Sequence, residues 1–276
     1  MNTAESSILL VGESGAGKTH YGAQMLQRLM KGDGCLRMSG AATNLEPFEA
    51  ALESLNEGRA AHHTPTAMYV DSVWPISDRA GRAAQLVWPE YGGEQIKAMI
   101  SARRVPNAWQ GRIQSATAWL LLVRLQQTRA GDDIFSRPIT ELRGKVSQKR
   151  DVQISDQARL IELLQMLIFV GGAQERPVDR PRLGIMLSCW DELSFDGLPA
   201  AALESRMPML AAFVRSNWRD PMIVGLSALE RPLSSAESDQ QYVSRGPEEF
   251  GYVIQSDGLR TSDLTAPIQQ LLNNFA

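Results

Sequence analysis

The sequence predicts a three-layer α/β fold, with a mostly parallel central sheet of about six strands and helices on both faces. Three observations lead there. Short apolar runs alternate with longer stretches of helical periodicity, the pattern of strands joined by helical crossovers. The first junction, residues 12–19, is a glycine-rich turn set between an apolar run and an amphipathic stretch. The composition, 43% hydrophobic and 21% charged, is that of a chain that buries a core.

The strand-like runs are SILLV (7–11), AMYVDSV (67–73), AQLVW (84–88), AWLLLVRL (118–125), LGIMLSCW (183–190) and MIVGL (222–226). Helical stretches follow most of them. Residues 17–32 carry Tyr21, Met25, Leu26 and Leu29 at 3-4 spacing. Residues 155–170 open with Ser155 as a cap, and 198–218 read as a helix that Pro208 should kink. Residues 261–275 read as the last helix. The stretches 33–60, 126–154 and 229–260 lack a clear pattern and read as insertions. With no repeat and no linker-like tract, 1–276 reads as one domain.

A formal charge of −3 gives no support to a broad basic surface for nucleic acid. Two cysteines, Cys35 and Cys189, suggest a reducing compartment rather than a disulfide framework. The polar start MNTAESS and the short apolar run after it read as neither a signal peptide nor a membrane span. No run of 18 apolar residues occurs, and AWLLLV (118–123) is far too short to cross a bilayer, so the expectation is a soluble cytoplasmic protein.

Gly12-Glu13-Ser14-Gly15-Ala16-Gly17-Lys18-Thr19 fits G-x-x-x-x-G-K-[ST] in full, with a strand before it and a helix after it. Glycines let the backbone curl around an anion, and successive N–H groups at the helix N-terminus donate to it. Lys18 is expected to bridge the β- and γ-phosphates, Thr19 to place its hydroxyl on Mg2+, and His20 to stand beside them. The pattern predicts a P-loop NTPase and leaves the nucleotide open.

The residues that choose the nucleotide lie downstream. LVWPEYGGEQIK (86–97) puts Glu90 at a strand end, then Gly92-Gly93 and Glu94. This resembles the D-x-x-G element of GTPases, with Glu90 as the metal-side carboxylate, Gly93 at the γ-phosphate and Glu94 orienting the attacking water. Residues 183–192 end a strand in Ser188-Cys189-Trp190-Asp191-Glu192. Asp191-Glu192 fits a Walker B pair, which makes an ATPase. Alternatively, Ser188–Asp191 stands where GTPases carry [NT]-K-x-D, whose aspartate accepts from the N1 and N2 donors of guanine. The next strand ends in Ser227-Ala228-Leu229, which resembles the S-A-[KL] element of guanine recognition, and that order favours the guanine reading. Thr64 and Thr66 both fit the switch threonine that closes on Mg2+. His62 and His63, without further Cys/His ligands, read as polar surface rather than a metal pair.

Taken in order, these elements resemble the TRAFAC class of P-loop GTPases with a Ras-like G domain. WPEYGGE and SCWDEL are most similar to the bacterial double-GTPase type associated with conflict or defence gene clusters. The resemblance implies GTP and GDP as ligands, Mg2+ as cofactor, and a nucleotide-controlled switch with a protein effector. Cys189 replaces the motif lysine and Ser188 the Asn/Thr, with Trp190 available to cover the base. Glu94 in place of the usual glutamine implies slow intrinsic hydrolysis and an activating partner that supplies an arginine. A P-loop ATPase, or a nucleotide-binding scaffold with little hydrolysis, remains the alternative.

Overall fold

The computed structural model describes residues 6–61, 71–89, 94–127, 154–172 and 180–273. In chain order these residues form β1 (Ser6–Gly12), α1 (Lys18–Lys31), β2 (Leu36–Met38), α2 (Glu46–Asn56), β3 (Ser72–Asp78) and β4 (Ala83–Trp88). Then follow α3 (Glu94–Ala102), α4 (Asn107–Ser115), β5 (Ala118–Val123), α5 (Asp156–Val170), β6 (Arg182–Ser188), α6 (Pro199–Arg206) and α7 (Pro208–Asn217). The remainder comprises β7 (Met222–Ser227), α8 (Gln240–Arg245), β8 (Tyr252–Ile254), β9 (Arg260–Thr261) and α9 (Ala266–Asn273).

The four residues Ile8 to Val11 of β1 are fully buried, which requires cover on both faces of the sheet. Strand side chains alternate between faces. Leu9, Val11, Trp119, Leu121, Ile185 and Leu187 join one buried cluster with α3 to α7, whereas Ile8, Leu10, Leu120, Leu122 and Met186 join another with α1 and α9. The expected three layers are therefore present.

The sheet runs β2-β3-β4-β1-β5-β6-β7-β8-β9, nine strands rather than about six. The central five, β4-β1-β5-β6-β7, are parallel, and antiparallel strands extend both edges. The extra strands β2, β8 and β9 have two or three residues each, too short to show a period of two. They lie inside or beside the stretches expected to be patternless, as do α2 and α8.

Two boundaries differ from expectation. The strand expected at 67–73 is Ser72–Asp78, and residues 67–70 lie outside the described part. Its register is set by the turn to β4, where the Asp78 carboxylate accepts from the backbone N–H of Arg82 at 2.8 Å and from its Nε at 2.6 Å. Pro208 does not kink one helix but separates two. Met207 before it leaves the helical region at φ −137° and ψ 64°, because the proline ring disfavours that region for its predecessor.

Parallel pairing carries the C-terminal ends of β4, β1, β5, β6 and β7 to one edge. The chain leaves β1 toward the β2–β4 side and later returns through β5 on the other side. Open α/β sheets bind ligands at such a switch of direction, outside the carboxyl ends of the strands.

Candidate functional site

Gly12 ends β1 at that edge, and Gly15 and Gly17 carry the loop into α1 with φ 78° and 77°. Only glycine adopts this left-handed region readily. Gly17 is the N-cap of α1 and makes no side-chain cap, so no capping side chain covers the start of the helix beside the loop. Lys18 Nζ donates to the carbonyls of Gly12 at 2.7 Å and Glu13 at 2.8 Å, so its ammonium lies over the loop. Burial pushes it down to about 8, against the opposing pull of the Glu13 carboxylate. Thr19 is half-buried in the first turn of α1, a hard oxygen donor suited to magnesium.

The loop is braced from two sides. Arg159 of α5 grips the Glu13 carboxylate with Nε at 3.0 Å and Nη2 at 2.9 Å, and also pairs with Asp156 at 2.6 Å. Arg124, just past β5, grips Glu192 with Nε at 3.0 Å and Nη2 at 2.5 Å, while Nη1 reaches the Gly15 carbonyl at 3.5 Å. Both arginines escaped the sequence reading. Arg159 carries no spacing signal. Arg124 carries a weak one, a charge directly after a fully apolar strand.

Ser188, at the end of β6, is 2% exposed, and its hydroxyl has no hydrogen-bond partner among the described residues. It lies close to the loop, since a Cβ placed on Gly17 would stand 4.0 Å from both Ser188 Oγ and Cys189 Sγ. An unpaired buried hydroxyl costs roughly 1–3 kcal/mol and tends to persist where function keeps it. Cys189 takes the left-handed conformation at φ 53°. Burial pushes its thiol up to about 12, with Arg124 pulling the other way, so it carries no charge.

Asp191 follows in a half-exposed turn, and its carboxylate has no hydrogen bond or ion pair among the described residues. Glu192 is held by Arg124, which leaves it poorly placed to activate water as a Walker B pair requires. Trp190 does not open toward a base: it is 7% exposed, packs over Gly225 of β7 and meets the Phe195 ring edge-on at 6.0 Å. Its apolar bulk went to the core, which outcompetes a solvent-facing position.

The next strand end lies alongside, since Ser188 pairs with Leu226. Ser227 is fully buried, and its Oγ accepts the Glu230 N–H at 2.9 Å, closing the turn that carries Ala228 and Leu229. His20 uses Nε2 to accept the Ala61 N–H at 3.0 Å, so its ring is tied to Ala61 rather than lying open over the loop. Thr64, Thr66, Glu90 and Gly93, and the pair His62-His63, lie outside the described residues; Glu94 is the first residue of α3. No described helix is long and apolar enough to cross a membrane.

Among solved structures, the chain is similar to a bacterial selenocysteine-specific elongation factor, EF-Sec, at 13% identity and TM-score 0.43 over 99% of this chain and 29% of the other. It is similar to Methanosarcina barkeri Roco2 bound to GDP at 15% identity and TM-score 0.36, over 98% of this chain and 50% of the other. The SRb-GTP/SRX complex of the signal recognition particle receptor from Chaetomium thermophilum matches at 14% identity and TM-score 0.38, over 88% of this chain and 98% of that one. The chain thus spans half or less of the length of the first two. No curated protein matches it. The model of the Double-GTPase 1 family matches residues 9–271, and the chain belongs to that family.

Proposed function

We propose that the protein is a Mg2+-dependent GTP-binding switch that hydrolyses GTP to GDP and phosphate, with 1–276 acting as one G domain. The observation that carries this reading is the Asp191 carboxylate, half-exposed and with no hydrogen bond or ion pair among the described residues, at the strand edge that also bears the phosphate loop. A carboxylate there matches the N1 and N2 donors of guanine, and adenine offers it no such pair.

In this reading the backbone of 12–19 holds the phosphates and Lys18 exchanges its two loop carbonyls for β- and γ-phosphate oxygens. Ser188 and the turn at 227–229 frame the base. A magnesium ion held by Thr19, with Glu90 and Thr64 or Thr66, supplies charge neutralisation to the triphosphate when bound. Glu94 orients the water that attacks the γ-phosphate, and a partner completes the site. A role in bacterial conflict systems follows from the family resemblance alone.

The test is a titration with GDP, GTP and ATP, together with phosphate release by the wild type and by Lys18→Ala. The expected result is a preference for guanine nucleotides of at least about a hundredfold, with release abolished in the variant. Equal affinity for ATP and GTP overturns the reading, and so does release that survives Lys18→Ala.

A further inference from the structure

A nucleotide with its phosphates over residues 12–19 and its base at Asp191 must pass its sugar between those two loops. One side chain ties the loops together across that interval. Arg124 leaves β5 with its guanidinium plane locked by two bonds to Glu192, the neighbour of Asp191, while Nη1 reaches the Gly15 carbonyl of the phosphate loop. The side chain is 26% exposed, so part of it stays accessible to a ligand. The loop 188–191 brings no cation of its own, since Cys189 is a neutral buried thiol and Trp190 belongs to the core.

We propose that Arg124 is a nucleoside-contacting residue, held by Glu192 so that its guanidinium lies against the base and sugar of a bound guanine nucleotide. A guanidinium is planar and weakly hydrated, so it stacks on a π face as well as donating hydrogen bonds. The bidentate carboxylate fixes that plane before the ligand arrives, which spares the entropy of ordering a long side chain on binding. It also cancels the arginine's charge, so Arg124 adds little attraction for phosphate. Glu192 thereby becomes a positioning residue. The inference rests on the guanine-nucleotide reading above.

The experiment is calorimetric titration of the full chain with GDP, GTP and inorganic pyrophosphate, in magnesium. Arg124→Ala is expected to weaken GDP and GTP equally, by about 10- to 100-fold, and to leave pyrophosphate within about twofold. Glu192→Gln keeps the shape but loses the bidentate charge pair, and is expected to show the same ligand pattern at about 3- to 10-fold. If Arg124→Ala does not fold by circular dichroism, the Glu192→Gln pattern decides. GDP affinity within twofold of wild type overturns the proposal. An equal loss of pyrophosphate overturns it by making Arg124 a brace of the phosphate loop, and a loss confined to GTP does so by making it a γ-phosphate contact. A wild-type chain that binds pyrophosphate but not GDP overturns the guanine reading itself, which the variants alone cannot do.

Discussion

Gly225→Ala tests whether the core holds in place the Trp190–Glu192 turn that we propose recognises the base. Gly225 sits in β7 opposite Leu187, and the Trp190 indole lies directly on it. A Cβ at Gly225 would stand 2.6 Å from two indole carbons, Cδ2 and Cε3. Ordinary carbon contacts are about 3.5–4.0 Å, so the ring must retreat by roughly 1 Å. Phe195 meets the ring edge-on, and the ring belongs to a closely packed cluster, so this retreat has little room. Overpacking of this kind costs about 1–3 kcal/mol, while replacing a strand glycine returns about 0.4–1 kcal/mol from the unfolded chain. Clash wins, for a net loss of about 1–2 kcal/mol, or roughly 2–6 °C in melting temperature for a chain of this size. Because Trp190 and Asp191 share one short turn, the same displacement moves the carboxylate. Thermal unfolding should therefore show the destabilisation, and titration should show weaker GDP binding with pyrophosphate unaffected. Wild-type melting together with wild-type GDP affinity would refute the argument.

Three further outcomes follow from the phosphate loop. Lys18 titrates near 8 in the nucleotide-free protein, and phosphate needs it charged, so above that pH binding must return a proton to it. GDP affinity should fall about tenfold from pH 7 to pH 9, and a flat profile with no proton uptake by calorimetry contradicts it. Stability runs the other way. An unfolded lysine keeps its proton up to about 10.5, so between about 8 and 10.5 the unfolded state binds more protons and the Lys18 contribution to stability rises with pH. Arg159→Ala removes the bidentate partner of Glu13 and leaves a carboxylate beside the phosphates. It should weaken GDP and pyrophosphate alike by about 3- to 10-fold, in contrast to Arg124→Ala, and a loss restricted to GDP argues against this role.

Much of the architecture was legible because it repeats along the chain. Fully apolar runs such as Ile8–Val11 and Ala118–Val123 signal strands covered on both faces, and the glycine pattern at 12–19 needs no partner in space to be recognised. Elements of two or three residues were not legible, nor was α8, which is held by contacts with distant residues rather than by its own period. Tyr242 of that helix stacks on Phe250 at 4.2 Å, and its hydroxyl accepts a hydrogen bond from Gln24 of α1 at 2.8 Å.

The sequence by itself determined the fold class, the phosphate loop and the order of strand ends that follows it, because local periodicity and backbone freedom are written residue by residue. Tertiary structure alone decided which of these side chains go to the core and which are tied to one another at the strand edge. Trp190 reads as a cover for the base but fills the space over Gly225, and Glu192 reads as a water-activating acid but is bound to Arg124. Arg124 and Arg159 come from different elements and meet the loop only when the strands align in parallel. Pairings of that kind depend on distance in space, to which spacing along the chain is blind.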